Sequence, residues 1–237
     1  MAGKFYGIGV GPGDPELLTI KATKILKTID IVICPESKKG QGSIALNIAK
    51  DYLPVNVEIL YLNFPMTYDE EILNKAWSDN ANTIYTLLNN DKNIGFLTLG
   101  DPMIYSTYMY LIPHLKLKHI SIETIPGITS FSALASRVNI PLTSGEETLG
   151  IIPLRKNIEG LEKALENFDN LIIMKPSNEH EQLGETLKNK NLENNFVLVS
   201  KCGTVEEKIS YDIRDLTDKK VPYLSTLVIK NRGLKYE

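Results

Sequence analysis

Phe5-Tyr6-Gly7-Ile8-Gly9-Val10 runs into Gly11-Pro12-Gly13-Asp14-Pro15 and then into Glu16-Leu17-Leu18-Thr19. The first six residues read as a strand, and the cluster of glycines and prolines ends it. Beyond it, Leu18, Ala22, Ile25, Leu26 and Ile29 recur at helical spacing. This predicts a helix over residues 15–28, with Pro15 suited to its first turn. A strand, a glycine loop and a helix in that order open a parallel α/β sheet.

Outward from this stretch the alternation continues. Strands are predicted over residues 30–34, 55–61 and 93–99, and helices over 43–53, 69–90 and 105–115, with Ser43 placed to cap its helix. The apolar pattern loosens around His114-Leu115-Lys116-Leu117-Lys118-His119. A second series then begins, with strands over 121–124, 148–152, 171–174 and 196–200 and helices over 129–138, 160–167 and 180–189. The last strands, over 207–212 and 223–229, have little helix between them, so antiparallel pairing is expected there. The fold class is α/β: two α/β domains, residues 1–115 and 116–237, with mixed, mostly parallel sheets and a ligand cleft expected between them.

Composition bounds the function. With 43% hydrophobic and 23% charged residues the chain can build a core, which excludes bulk disorder. A net charge of −3 argues against electrostatic capture of nucleic acid, though a local basic pocket for an acidic substrate remains compatible with it. Cys34 and Cys202 match no metal spacing and read as reduced thiols. Residues 1–6 lack the apolar core of a signal peptide, and no run approaches the roughly 20 apolar residues of a membrane helix. The expectation is a cytoplasmic protein with neither a membrane nor a nucleic-acid partner.

Three motifs follow predicted strands, where open α/β sheets place ligands. Gly7-Ile-Gly9-Val-Gly11-Pro12-Gly13-Asp14-Pro15 allows close approach of backbone to a ligand, or makes a tight turn only. It is not the dinucleotide fingerprint, because the last glycine position falls on Pro12 or Asp14 in either register, and Asp14 and Glu16 would repel a pyrophosphate. Leu99-Gly100-Asp101-Pro102-Met103-Ile104-Tyr105-Ser106-Thr107 presents a carboxylate that serves either as a helix-start cap or as an acceptor for a ligand's amino group or ribose. Ile125-Pro126-Gly127-Ile128-Thr129-Ser130 offers amides and hydroxyls, as caps or as ligand contacts.

Taken together and in this order, Gly9-Val-Gly11-Pro12-Gly13-Asp14-Pro15-Glu16-Leu17-Leu18-Thr19, Gly100-Asp101-Pro102 and Pro126-Gly127-Ile128-Thr129-Ser130 resemble the signatures of the tetrapyrrole (corrin/porphyrin) methylase family. The resemblance covers nearly the whole chain. It is closest to the branch that methylates precorrin-2 or cobalt-factor II at C20. The cues for that branch are Phe64-Pro65-Met66-Thr67 followed by Trp77, Met103-Ile104-Tyr105-Ser106-Thr107, Gly145-Glu146-Glu147-Thr148-Leu149, and Lys201-Cys202-Gly203-Thr204-Val205-Glu206-Glu207-Lys208-Ile209.

The resemblance implies a homodimeric enzyme that uses S-adenosyl-L-methionine, released as S-adenosyl-L-homocysteine, on a tetrapyrrole substrate. Leu99, Gly100, Asp101 and Ile104 would line the cofactor site, with Pro12 on the loop facing it. Thr129 and Ser130 would meet the methionine part or ribose. Met174, which read alone is either core or contact, would pack on the adenine. Cys202, Ser225 and Thr226 would add wall and backbone contacts. Gly11, Gly13, Asp14 and Tyr105 would face the tetrapyrrole. The nucleophile would be an electron-rich meso carbon, so no metal site and no nucleophilic triad is expected, and no catalytic residue is assigned. Tyr105, Glu146 and Glu147 are candidate acceptors for the departing proton. Arg137, Arg155, Lys156, Lys175 and Lys201 are candidate partners for the substrate's eight carboxylates. The alternatives are a methylase of the same fold acting at another corrin-precursor carbon, and a non-catalytic nucleotide-binding module.

Overall fold

Five strands of the amino-terminal half run parallel: β1 (Phe5–Gly9), β2 (Ile31–Glu36), β3 (Glu58–Asn63), β4 (Ile94–Thr98) and β5 (Ile122–Ile125), in spatial order β3-β2-β4-β1-β5. They come from a computed structural model that describes residues 3–36, 42–154 and 158–234. Parallel neighbours need a crossover between them. Helices α1 (Ile20–Leu26), α2 (Ile44–Ala49), α3 (Glu70–Leu88) and α4 (Tyr108–Lys116) make these crossovers. Because side chains alternate along a strand, each face of the sheet buries its own cluster. Phe5, Ile33, Ile94 and Phe96 pack with Ile84, Leu88, Tyr108 and Leu111 of α3 and α4. Ile8, Val32, Cys34 and Leu97 pack with Ala22, Leu26, Ala45 and Ile48 of α1 and α2.

Local chemistry sets the helix starts. Ser43 and Asp69 cap α2 and α3: the Ser43 hydroxyl accepts from the Leu46 amide at 3.2 Å, and Asp69 accepts from the Glu71 and Ile72 amides at 3.0 and 3.2 Å. The helix expected from residue 15 starts at Ile20 instead. Asp14 caps a short 3-10 turn over Pro15–Leu17, Leu18 is extended, and Thr19 then caps α1, its hydroxyl accepting from Ala22 at 3.1 Å. The helix expected from residue 105 starts at Tyr108, because Tyr105 has φ +48°, outside the helical region.

The chain divides into Met1–Thr129 and Ser130–Glu237, which corrects the boundary expected at residue 115. The reason is β5, which pairs in register with β1 (Phe5 with Ile122, Ile8 with Ile125) and so completes the first sheet.

The second unit contains β6 (Leu149–Pro153), β7 (Asn170–Met174), β8 (Phe196–Ser200), β9 (Lys208–Ser210) and β10 (Ser225–Lys230), in order β6-β7-β10-β8-β9. Only β6 and β7 are parallel, so the mostly parallel expectation describes the first sheet and one pair of the second. The last strands do not pair with each other. Strand β10, buried throughout, inserts antiparallel between β7 and β8, and the short β9 lies antiparallel on the outer side of β8. One sheet face carries Leu171, Ile173, Leu198 and Leu227 against Leu161 of α6 (Ile158–Asn167), Leu183 and Leu187 of α7 (His180–Asn189) and Leu216 of the four-residue α8 (Arg214–Thr217). Strand β10 also packs against α5 (Ser130–Val138).

Lys230 on β10 is 2% exposed. Its ammonium donates to the Pro141 carbonyl at 3.1 Å and to Glu147 Oε2 at 3.2 Å. The same carboxylate accepts from Asn170 Nδ2 at 2.9 Å and from the Ser144 amide at 3.0 Å. These bonds, the Asn170 amide foremost, hold the Glu147 carboxyl below the usual carboxylate range. Glu147 is therefore committed to neutralising a buried lysine, which removes it as a candidate proton acceptor. No helix among the described residues is long and apolar enough to cross a membrane.

The aromatic centre of the first unit gives a direct stability test. Phe96 is fully buried and its ring meets Phe5, Phe64 and Tyr108 at 6.4, 5.7 and 5.8 Å. Phe96→Ala is expected to cost about 3–5 kcal/mol of stability in urea denaturation. A loss below about 1 kcal/mol would show that this ring cluster is not the core of the unit.

Candidate functional site

All five strands of the first sheet end on one edge, and the loops after β1, β4 and β5 meet there backbone to backbone. Gly100 donates its amide to the Gly11 carbonyl at 2.7 Å, and Gly11 donates to the Gly100 carbonyl at 3.3 Å. The Val10 amide donates to Thr98 at 3.0 Å. A Cβ on Gly9 would stand 2.6 Å from the Gly127 nitrogen, and a Cβ on Gly127 would overlap the Gly100 carbonyl oxygen. Gly100 itself sits at φ +73°, with only the Ile128 carbonyl near its Cβ position, at 3.9 Å. The glycines therefore do two jobs: they let three loops touch, and they leave open space over one of them.

Asp101 is the polar clasp of this edge. Its Oδ1 accepts from the Met103 amide at 2.8 Å, and its Oδ2 accepts from the Gly127 amide at 3.0 Å. Helix α4 starts at Tyr108, so Asp101 is not its cap. It ties the β4 loop to the β5 loop. Each carboxylate oxygen can accept a second hydrogen bond, which leaves capacity for a ligand donor. Pro12 and Gly11 are buried in the junction, and Leu99 and Ile104 are half-buried beside it in sequence. Gly13 and Asp14 lie on the outer part of the first loop, where Asp14 accepts from the Glu16 amide at 2.9 Å. Tyr105 is 41% exposed and left-handed, a conformation that costs a bulky residue about 1–3 kcal/mol.

Sequence reading missed Thr98, the residue before Leu99. Its hydroxyl is buried and has no hydrogen-bond partner among the described residues. An unmet buried hydroxyl costs about 1–3 kcal/mol. The available signal was a lone hydroxyl closing the otherwise apolar strand Ile94-Gly95-Phe96-Leu97.

The second unit gathers the other expected residues along one edge of its own sheet. Since β10 is antiparallel to β7 and β8, its first residues lie beside the ends of both: Thr226 pairs with Met174 and Val199, and Ser225 pairs with Ser200. The Ser130 hydroxyl at the start of α5 is 3.0 Å from the Thr226 hydroxyl. The Ser225 hydroxyl donates to the Pro222 carbonyl at 2.7 Å and lies 2.7 Å from the Ser200 hydroxyl, so its one proton is already committed. Met174 is half-buried at this edge. Ser130, Met174, Ser225 and Thr226 are thus brought together, with Cys202 two residues past β8.

Glu207, also missed from sequence, organises the Cys202 loop. Its side chain is 10% exposed. One oxygen accepts from Arg137 Nε at 2.6 Å and the other from the Gly203 amide at 2.8 Å. Burial opposes its charge, but the Gly203 amide, Arg137 and the Cys202 thiol together hold its carboxyl below the usual range. Burial, reinforced by the charge and hydrogen bond of Glu207, pushes the Cys202 thiol up to about 11. Burial, with a smaller contribution from the charge of Glu36, raises Cys34 also to about 11. Two candidate cations are therefore already paired, Arg137 with Glu207 and Lys201 with Glu206 at 2.6 Å. Arg155 and Lys156 lie outside the described residues.

The chain thus carries a parallel sheet with locked glycine loops in one unit and a mixed sheet in the other, the make-up of a two-unit α/β protein. The family model of the Tetrapyrrole (Corrin/Porphyrin) Methylases matches residues 4–216. The chain belongs to that family. It is 40% identical over 232 residues to a Methanocaldococcus jannaschii protein named probable cobalt-precorrin-2 C(20)-methyltransferase, covering 96% of both chains. It is 30% identical over 233 residues to the Salmonella typhimurium cobalt-precorrin-2 C(20)-methyltransferase, covering 98% of both. Its fold matches the crystal structure of uroporphyrin-III C-methyl transferase from Thermus thermophilus, solved with S-adenosyl homocysteine, at a TM-score of 0.67 and 19% identity, covering 96% of this chain and 92% of that one.

Two outcomes test this geometry. Gly127→Ala is expected to part the loops, seen as faster amide hydrogen exchange at Gly11 and Gly100; unchanged exchange would mean the loops do not depend on that contact. Glu207→Gln removes a negative charge that raises the Cys202 pKa, so the thiolate fraction should rise and iodoacetamide should label Cys202 faster, with Cys34 as the unchanged internal reference. Equal labelling of Cys202 before and after would contradict the Glu207 contact.

Proposed function

We propose that this chain transfers a methyl group from S-adenosyl-L-methionine to the meso carbon C20 of precorrin-2 or cobalt-factor II. The observation that carries the reading is the junction of Gly9, Gly11, Gly100, Asp101 and Gly127 at one sheet edge, in a chain that belongs to the tetrapyrrole methylases. Support for the position on the ring comes from the two relatives named as C(20)-methyltransferases, which match over nearly the whole chain.

The residues fit the cofactor. Space is open over Gly100, Asp101 keeps acceptor capacity for an ammonium or a ribose hydroxyl, and Thr98 has a buried hydroxyl still to be satisfied. We assign Pro12, Leu99, Gly100, Asp101, Ile104 and Thr129 of the first unit to cofactor binding. From the second unit we add Ser130, Met174, Cys202, Ser225 and Thr226. Gly11, Gly13, Asp14 and Tyr105 are assigned to the tetrapyrrole.

When bound, S-adenosyl-L-methionine supplies a methyl group already activated by its sulfonium. What this chain must do is hold the methyl in line with the meso carbon and exclude water, which can contribute about 7–11 kcal/mol. Rigid backbone suits that task better than mobile side chains, and the interlocked glycine loops are rigid backbone. The raised pKa of Cys202 keeps it a neutral thiol at physiological pH, so it can form an inert wall near a methyl donor and not a competing nucleophile. Tyr105 is the acceptor candidate placed on these loops.

The test is incubation with S-adenosyl-L-methionine and precorrin-2, with and without cobalt. The expected product is heavier by one methyl group. S-adenosyl-L-homocysteine at one hundred times its Kd should raise the melting temperature by about 5–10 °C, while NAD and ATP should leave it unchanged. Stabilisation by NAD or ATP with no methyl transfer would favour a nucleotide-binding module and overturn the proposal.

A further inference from the structure

The loop after β3, Phe64-Pro65-Met66-Thr67-Tyr68, has no part in the cofactor junction, yet it is a built feature. Its first residue is anchored. The Phe64 amide donates to the Glu36 carbonyl at 2.8 Å, and the Phe64 ring is buried against Phe96 at 5.7 Å. Its far end is anchored too, since the Asp69 amide donates to the Thr67 hydroxyl at 3.1 Å and Asp69 caps α3. The Asn80 side chain of α3 donates to the Asn63 carbonyl at 2.9 Å, fixing the point where the loop leaves β3. Between these anchors Met66 and Tyr68 stand 74% and 73% exposed. Nothing in the core requires two large apolar side chains at that place.

Topology tells what they stand beside. Every strand of this sheet is parallel, so the β3 loop rises from the same edge as the three locked loops. On that edge the β4 loop presents Met103, 53% exposed, and Tyr105. Strand β2 alone separates β3 from β4, so the two loops start about 10 Å apart, two inter-strand spacings, which is the scale of a tetrapyrrole ring. Two methionines and two tyrosines are also the right chemistry. Thioether sulfur is polarisable and packs well on conjugated rings, and tyrosine offers a broad apolar face with a wettable tip. A flat macrocycle with carboxylates on its rim would lay its apolar face on such side chains and keep its rim in water.

We infer that Met66 and Tyr68, together with Met103 and Tyr105, form the surface on which the face of the substrate macrocycle lies. The inference rests on the tetrapyrrole reading above. It adds substrate-binding residues outside the cofactor junction, and so predicts a clean separation between binding of the two ligands.

The test measures binding, not turnover. Factor II, the conjugated metal-free form of the substrate, is titrated by its own fluorescence into the full chain and into Met66→Ser, Tyr68→Ser and the double variant. Val55→Ser is the control, a fully exposed apolar residue just before β3 at the opposite edge of the sheet. The expected result is at least tenfold weaker factor II binding for the double variant, an unchanged Kd for S-adenosyl-L-homocysteine, and no effect of Val55→Ser. Wild-type binding in the double variant would overturn the inference. So would a loss of self-association with factor II binding intact, since the patch would then be a contact with a second copy of the chain. If factor II binds as expected but the wild-type chain methylates no tetrapyrrole, the reading of the reaction fails while this surface stands.

Discussion

The approach of Gly9 to Gly127, with Gly100 locked across to Gly11, sets the geometry of the working edge of the first unit. Three loops from three strands share one small volume because no Cβ stands between them. The strand order makes this possible: β4, β1 and β5 are neighbours, so their loops emerge side by side. The aromatic cluster around Phe96 and the capped helices keep those strands in register. Asp101 then fixes two of the loops through backbone amides, so the edge is held by groups with little freedom to move. Preorganisation of this kind suits a reaction in which the chemistry lies in the reactants and the protein contributes alignment.

The second unit reaches a comparable end by other means. Its edge is built from side-chain hydroxyls and from one buried carboxylate, Glu207, that collects an arginine, a loop amide and a thiol. The other end of β10 carries the buried Lys230 with its partner Glu147. Both glutamates act in the structure as anchors for loops. Glu207 holds the loop that carries Cys202, and Glu147 neutralises Lys230. Arg137 and Lys201 are drawn into the same anchoring and are less available to substrate carboxylates than their sequence positions suggested.

Much of the fold was legible because it is local. The cap Ser43 is where the sequence placed it, the helix read from Asp69 starts one residue later with Asp69 as its cap, and the α7 and β8 spans were read with their observed ends. What was not legible depends on partners distant in sequence. Strand β5 looked like the start of a new domain, and only its pairing with β1 assigns it to the first. Strand β10 comes last in the chain yet sits in the middle of its sheet. The tandem caps Asp14 and Thr19 concealed a break in what periodicity read as one helix. In the site, the glycine loops and Asp101 were found from their position after strands. Thr98 and Glu207 were not: the one local signal of Thr98 is a lone hydroxyl closing an apolar strand, and Glu207 is bonded to Arg137, 70 residues away.

The central claim is that these loops deliver a methyl group to one meso carbon of a tetrapyrrole. The most direct measurement uses S-adenosyl-L-methionine carrying a carbon-13 methyl group, with the product read by NMR. The account predicts a single labelled methyl on C20 of the macrocycle. Label at another ring carbon would keep the fold and the cofactor edge but contradict the assigned position, and a product with no labelled carbon would contradict the claim itself.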